Sequence, residues 1–232
     1  MAATYYTRRE EVELVNDYCY YTRGDLPDVA FQRRSCDNGS TWSPAEKIPS
    51  CEHRPEGMLR RHRSAGYVDP LTNRYLSFRT EGILPRDDPL DGMKHYALYY
   101  TVSEDGGRTE CVNEQVIQPG AEFDAGHPLP GLWIGKNSIM LSTLTCQPLT
   151  LPDGTILLPT NVTPLGPDGE YHNPGGGYTY SDVLVLRGKW RADKRIEWKA
   201  HKPVSGDPNR STRGMDESTL GLLADGRVLM VI

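Results

Sequence analysis

The sequence has no apolar run approaching the ~18 residues that a membrane-spanning helix requires, so none of its 232 residues is expected to form a span. The opening stretch, Met1 to Tyr18, carries Arg8, Arg9, Glu10 and Glu11 where a secretory peptide needs an apolar centre. No export signal is visible, and the default expectation is a cytoplasmic protein, or an exported one if the N-terminus is truncated. An excess of one charge sign is lacking too. The 26 basic and 31 acidic side chains leave a net charge of -5, too mild and too mixed to steer the chain to nucleic acid or anionic lipid.

Metal and cofactor signatures are missing as well. The five cysteines (Cys19, Cys36, Cys51, Cys111 and Cys146) show no C-x-x-C spacing and no Cys/His cluster. Odd in number and widely spread, they read as free thiols rather than as a zinc site or a disulfide framework. The six histidines stand far apart without paired ligand spacing, so no metal is expected. The Gly-rich stretch His172 to Tyr178 contains no Gly-Lys-Ser/Thr, which argues against a phosphate cradle and leaves a flexible loop able to touch a sugar. No cofactor is expected. Uninterrupted helical windows are scarce, because 23 Gly and 18 Pro recur throughout.

What is present is strand and turn. Short β-branched or aromatic runs are bounded by turn residues: YLSF follows Thr72-Asn73, HYALYYTV precedes Glu104-Asp105-Gly106, TILLPT follows Asp153-Gly154, and VLMVI follows Asp225-Gly226. This punctuation predicts many short antiparallel strands joined by hairpins. Two internal repeats narrow the architecture. SCDNGSTW (Ser35 to Trp42) and SEDGGRTE (Ser103 to Glu110) share Ser-x-Asp-x-Gly-x-Thr, with aspartates 105 − 37 = 68 positions apart. LPDGTILL (Leu151 to Leu158) and LADGRVLM (Leu223 to Met230) share a hairpin entry at 225 − 153 = 72 positions. A unit of that size made of several short strands cannot bury both faces alone and must stack against copies of itself, as propeller blades do. Asp37 and Asp105 read as structural, each accepting hydrogen bonds from its own turn. The basic cluster Arg54 to Arg63 reads as a solvated inter-blade connection, or as a source of a carboxylate-binding arginine.

SCDNGSTW in the setting QRRSCDNGSTWSPAEKIPS resembles the first Asp box of sialidases, and YTVSEDGGRTE resembles a degenerate second copy in which Glu110 replaces the terminal Trp. CQPLTLPDGTILLP and MDESTLGLLADGRVLMVI are similar to sialidase segments that open the third and fourth blades. The resemblance covers nearly the whole chain. It implies an all-β, six-bladed sialidase-like propeller, incomplete here at about three and a half blades: residues 1–54 as blade one, 55–118 as blade two, 119–205 as blade three and 206–232 as the start of blade four. It further implies a truncated product, inactive alone, whose C-terminal blades would complete the ring.

The resemblance also implies a retaining hydrolase of terminal sialic or related acidic sugars, working without cofactor. Such enzymes clamp the substrate carboxylate with arginines and use a Tyr nucleophile polarised by a Glu, an exception to the two-carboxylate scheme. Carried onto this sequence, Glu217 in MDESTLGLLADG takes the place of the polarising glutamate. The acid/base falls in TRGDLPDVAFQRRS, where Asp25 and Asp28 are both candidates. Arg8 and Arg9 lie in the region of the first clamp arginine, although the Arg-Ile-Pro motif that usually carries it is absent. That departure supports an alternative, a non-catalytic Asp-box propeller that binds glycans or proteins through its axial face.

Overall fold

The computed structural model describes residues 2–22, 25–141 and 147–232 and is all-β, as the turn punctuation predicts. Sheet one is a meander of β1 (Ala2–Tyr6), β2 (Leu14–Tyr21), β3 (Pro27–Ser35) and β4 (Glu46–Ile48). Sheet two contains β5 (Cys51–Arg54), β6 (Gly57–Arg63), β7 (Tyr67–Val68), β8 (Tyr75–Leu84), β9 (Ala97–Ser103) and β10 (Val112–Gln115). Its order is β10-β9-β8-β6-β5, and β7 continues the line of β6 along β8. Sheet three runs β11-β13-β14-β15, with β11 (Ile139–Met140) and β12 (Leu149–Thr150) both paired to β13 (Ile156–Val162), followed by β14 (Asp182–Trp190) and β15 (Ile196–Ala200). A hairpin of β16 (Thr219–Leu222) and β17 (Val228–Val231) forms the fourth. Among the described residues every pairing between these strands is antiparallel, and none of the sheets closes on itself.

The main core lies between sheets two and three. Alternate positions of β8 and β9 (Leu76, Phe78, Leu98, Tyr100, Val102) meet Ile156, Leu158, Leu184, Leu186, Ile196 and Trp198. Trp198 sits edge-on to Phe78 at 6.0 Å and to Tyr100 at 5.7 Å, a geometry that sets positive ring edges against negative faces. Gly188 makes room for it, since a Cβ there would stand 2.7 Å from the Trp198 ring. The Arg54 to Arg63 cluster is no solvated connection: it forms the β5–β6 hairpin, and Arg60 within it is 2% exposed.

The two Ser-x-Asp-x-Gly-x-Thr segments close equivalent hairpins, β3–β4 and β9–β10, with the same bonds. In each, the Ser hydroxyl donates to the Asp carboxylate at 2.7 Å, and the Thr amide and hydroxyl donate to it at 2.8 and 2.6 Å. Gly39 and Gly107, at φ +85° and +81°, donate their amides to the Ser oxygens at 2.8 Å. These donors hold Asp37 ionised, its pKa lowered to about 2 chiefly by the Thr41 hydroxyl. Sheet three makes the corresponding β14–β15 turn with other residues, Asp193 accepting from the Arg195 amide and Lys194 taking φ +68°. The LPDG and LADG turns likewise match: Leu151 and Leu223 amides reach the carbonyls of Thr155 and Arg227, both at 2.8 Å.

Buried carboxylates tie the sheets together at this end. Glu13, 3% exposed, accepts from Thr7, from Arg34 at 3.1 Å and from Arg108 of sheet two. Asp69, with no exposed surface, accepts from Thr72, from Thr150 at 2.8 Å and from the Trp190 indole at 3.0 Å. Among the described residues no helix is long and apolar enough to cross a membrane. Cys36, Cys51 and Cys111 are free thiols, and Cys146 lies outside the described residues.

Asp69→Ala should cost about 2–4 kcal/mol, because it strands the Trp190 N–H and the Thr150 hydroxyl inside the interface. Asp153→Ala, at an exposed turn, should lower the melting temperature clearly less. Thermal melts of the two variants beside the parent chain measure the difference.

Candidate active site

Antiparallel meanders put successive connections at alternate ends of the strands, so each sheet has two working ends. The five aspartate turns described above, at Asp37, Asp105, Asp153, Asp193 and Asp225, occupy one. The other carries the β2–β3 connection, the β8–β9 connection with its single-turn helix α1 (Gly92–His95), the β13–β14 connection and the segment leading into β16. Contacts stitch this second end together. The Thr163 hydroxyl donates to the Met93 carbonyl at 2.8 Å, and Lys94 pairs with Glu170 at 2.8 Å. Asn161 and the Ser181 hydroxyl both donate to the Met215 carbonyl at 2.9 Å.

Arg60 organises the junction of sheets one and two. Its guanidinium makes two 2.8 Å bonds to Asp87, one of 3.0 Å to Asp28 and one of 3.1 Å to the Pro27 carbonyl. The planar fork matches the Asp87 carboxylate, which offsets much of the cost of burying the charge. Asp28 is thereby committed. Its other oxygen accepts from the Thr22 amide at 2.6 Å and hydroxyl at 2.7 Å, and the Thr22 hydroxyl, ahead of Arg60, holds its carboxyl below the usual range. A carboxylate so held makes a poor proton donor near neutral pH.

Asp25 has a different setting. It lines a cavity of about 140 Å³ between sheets one and two together with Tyr21, Arg61, His62, Arg63 and Leu141. His62 and the Tyr96 hydroxyl stand 3.1 Å apart with their rings edge to face. Desolvation, with Arg60 as the second cause, pushes the His62 imidazole down to about 4. Desolvation, reinforced by the Asp25 charge, raises the Tyr21 and Tyr96 hydroxyls. Arg61 is half-buried and bonds Glu81 at 2.9 Å. The cavity lining therefore offers the carboxyl group of Asp25, a neutral imidazole, the protonated phenol of Tyr21 and a guanidinium, with the Tyr96 hydroxyl against the imidazole.

Glu217 belongs to the same end through Met215, two residues before it, which Asn161 and Ser181 anchor. Its side chain is exposed, and its backbone takes φ +53°, a left-handed conformation that costs a non-glycine residue energy. Arg8 and Arg9 lie elsewhere. They sit in the β1–β2 turn, at the far end of β2 from Asp25, and the eight residues of β2 separate the two by about 24 Å. There Arg8 pairs with Glu11 at 3.0 Å and Arg9 donates to the Pro70 carbonyl. The structure thus brings Asp25, Asp28 and the Glu217 segment to one end and leaves both arginines at the other. The Gly-rich stretch is also on the Asp25 end but is packed rather than loose. A Cβ on Gly177 would stand 2.4 Å from the Thr212 carbonyl, and Asn173 bonds the Gly177 carbonyl at 2.7 Å.

Sequence reasoning missed His62, Tyr96 and Asp87, which sit in separate elements and carry no local pattern. Arg60 and Arg61 were inside a cluster read by composition, and β6, with adjacent Leu59 and Arg60 both buried, has no alternation that could have separated them. Among the described residues no group of three His, Cys, Asp or Glu side chains could hold a metal ion.

No protein-family model matches the sequence, and no curated protein matches it. Among solved structures, the Hadza microbial sialidase Hz136 superposes with a TM-score of 0.50 at 14% identity, over 86% of this chain and 40% of its own. A polysaccharide lyase of family PL25, an ulvan lyase, gives 0.49 at 9% identity, over 87% of this chain and 45% of its own. The chain spans about two fifths of the length of that sialidase. At such identities the likeness concerns the fold alone, and the fold of this chain is sialidase-like.

The His62 shift has a measurable consequence. Unfolded, the imidazole takes a proton near 6.5, whereas in the folded chain it stays neutral down to about 4. The unfolded state therefore binds more protons between these values, and stability falls as pH drops through 6.5, with the loss complete below about 4. Between pH 7 and pH 5 the parent chain should lose about 2 kcal/mol more than His62→Gln, read as a difference of roughly 5 °C in Tm.

Proposed function

We propose that this chain is a sialidase-like glycoside hydrolase module acting on terminal sialic or related acidic sugars of glycans, with its reaction centre at the strand end that carries Asp25 and Glu217. In this reading the sheets are Asp-box blades of a six-bladed propeller, with residues 1–54, 55–118 and 119–205 forming three and 206–232 opening a fourth. The sialidase-like fold and the two identical Ser-Asp-Thr turns support it. The observation that carries the functional reading is the convergence of Asp25, Arg61 and His62 on one cavity, at the end to which Met215 also anchors the Glu217 segment.

Asp25 takes the acid/base role. It faces the cavity, while Asp28 is locked to Thr22 and Arg60. Its task is to protonate the glycosidic oxygen as the leaving group departs and then to take a proton from the incoming water. Glu217 takes the role of polarising a tyrosine nucleophile, and its strained backbone is the kind of local cost found where geometry serves chemistry. For the substrate carboxylate, Arg61 is better situated than Arg8 or Arg9, because it lines the cavity and a guanidinium can offer parallel N–H donors. At about 140 Å³ the cavity is smaller than the ~300 Å³ or more of a typical ligand pocket. It suits a carboxylate or an acyl arm, with the sugar ring lying across the open end. A glycan-binding module without hydrolysis is the second reading, favoured by the pairing of Arg61 with Glu81 at 2.9 Å, which leaves it only partly available for a clamp.

Hydrolysis of 4-methylumbelliferyl α-sialoside, by this chain and by any longer protein containing it, tests the proposal. Asp25→Ala and Glu217→Ala should each lower kcat by about 100-fold or more, while Asp28→Asn should act mainly on stability and Arg8→Ala should leave turnover unchanged. Sialic acid binding that is lost in Arg61→Ala, without hydrolysis under any condition, would instead establish the binding module.

A further inference from the structure

The connection between β10 and β11 carries an aromatic stack outside the cavity. His127 and Trp133 lie parallel, with ring centroids 3.6 Å apart and planes 5° apart, and Phe123 is tilted against His127 at 5.3 Å. Trp133 is nonetheless 46% exposed, so much of its indole still meets water. Its backbone is fixed. Buried Asn137 accepts from the Trp133 amide at 2.7 Å and donates to the carbonyls of Gly131 at 3.0 Å and Thr163 at 2.8 Å. The His127 Nδ1 stands 2.7 Å from the Leu132 carbonyl. Gly131 and Gly135, at φ +74° and +102°, make the bends on either side that a larger residue would resist.

The loop belongs to the Asp25 end. The Gly135 amide donates to the Lys94 carbonyl at 2.6 Å, and Lys94 lies two residues before Tyr96, whose hydroxyl meets His62. Ring stacking and hydrogen bonds thus hold a large aromatic surface open at the strand end that carries the cavity, at no further ordering cost to a ligand. The negative π face repels a carboxylate and attracts polarised C–H bonds. The exposed neighbours Gly131, Gly135 and Lys136 confine the apolar patch to a single indole, too small for the 800 Å² per partner of a standard protein interface but matched to one sugar ring.

We infer that Trp133 is a stacking subsite for a neutral pyranose, the ring adjoining the acidic sugar of a glycan, bound through the axial C–H face of a galactose-type ring. This deepens the reading of the Asp25 end as a glycan site and rests on it. The test titrates methyl β-galactoside, and separately N-acetylneuraminic acid, into the full chain while following indole N–H resonances, with Trp133→Tyr assigning the Trp133 signal. The galactoside should move that signal saturably; Trp133→Ala should weaken its binding about tenfold, and Trp133→Tyr should retain it within about threefold. A Trp133 signal that stays fixed up to ~100 mM galactoside, or that moves no more than those of Trp42, Trp190 and Trp198, overturns the inference, and both results are read on the parent chain, the variant serving only for assignment. Galactoside binding without sialic acid binding would sink the acidic-sugar reading alone; the reverse would sink the subsite alone.

Discussion

Sheets two and three bury their facing sides against each other, and the rest of the molecule depends on that contact. A strand pair is marginal on its own, and β8, β9, β13 and β14 present apolar residues that need a facing layer. Trp198 fills the centre between Phe78 and Tyr100, and Tyr100 turns its hydroxyl outward to accept the Ile196 amide at 3.1 Å and to donate to Glu114 at 2.5 Å. The packing thus carries its own polar exit. Because the contact fixes how the two sheets sit, it also fixes where α1, Thr163 and the Trp133 loop meet.

Charge does a different job at the other junction. Arg60 is a buried cation held by two carboxylates and a carbonyl, and such an arrangement contributes position more dependably than stability. Its effect on the site is selective. By engaging Asp28 it leaves Asp25 as the loop carboxylate on the cavity, and by its charge it helps keep His62 neutral. One residue therefore separates two aspartates that look alike in sequence.

The turns were legible in sequence because their bonds are local. Ser35, Asp37, Gly39 and Thr41 satisfy one another within seven positions, so composition and spacing suffice, and the same holds at Ser103 to Thr109. The corresponding turn at Asp193 was invisible, since it keeps the shape through Lys194 and Arg195 without the Ser, Gly or Thr. The broken first strands were also hidden: β6 with β7, and β11 with β12, become continuous only through pairing to β8 and β13. In the site, the loop holding Asp25 and Asp28 was found from local sequence, but the choice between them hangs on Arg60, which lies 32 residues beyond Asp28. Arg8 and Arg9 were proposed because they lie in the region where the resemblance puts the first clamp arginine, whereas strand direction puts them at the end opposite Asp25. His62 and Tyr96, 34 positions apart, meet only because β6 and the α1 connection converge.

The two junctions are held by unlike forces, and that asymmetry bears on how the molecule comes apart. Sheet one meets sheet two largely through ionic seams, Glu13 with Arg34 and Arg108 at one end and Arg60 with Asp28 at the other, with Tyr5 and Tyr75 stacked at 6.4 Å between them and a small apolar cluster of Leu26, Leu84 and Tyr96. Mobile ions reach the part-exposed Arg108 and Asp28 of these seams, screen the buried Glu13 and Arg60 far less, and leave an oily contact untouched or strengthened. Added salt should therefore loosen the first sheet as a separate cooperative unit while the Trp198 region stays closed, a split that amide exchange would register as early deuterium uptake in β1 to β4.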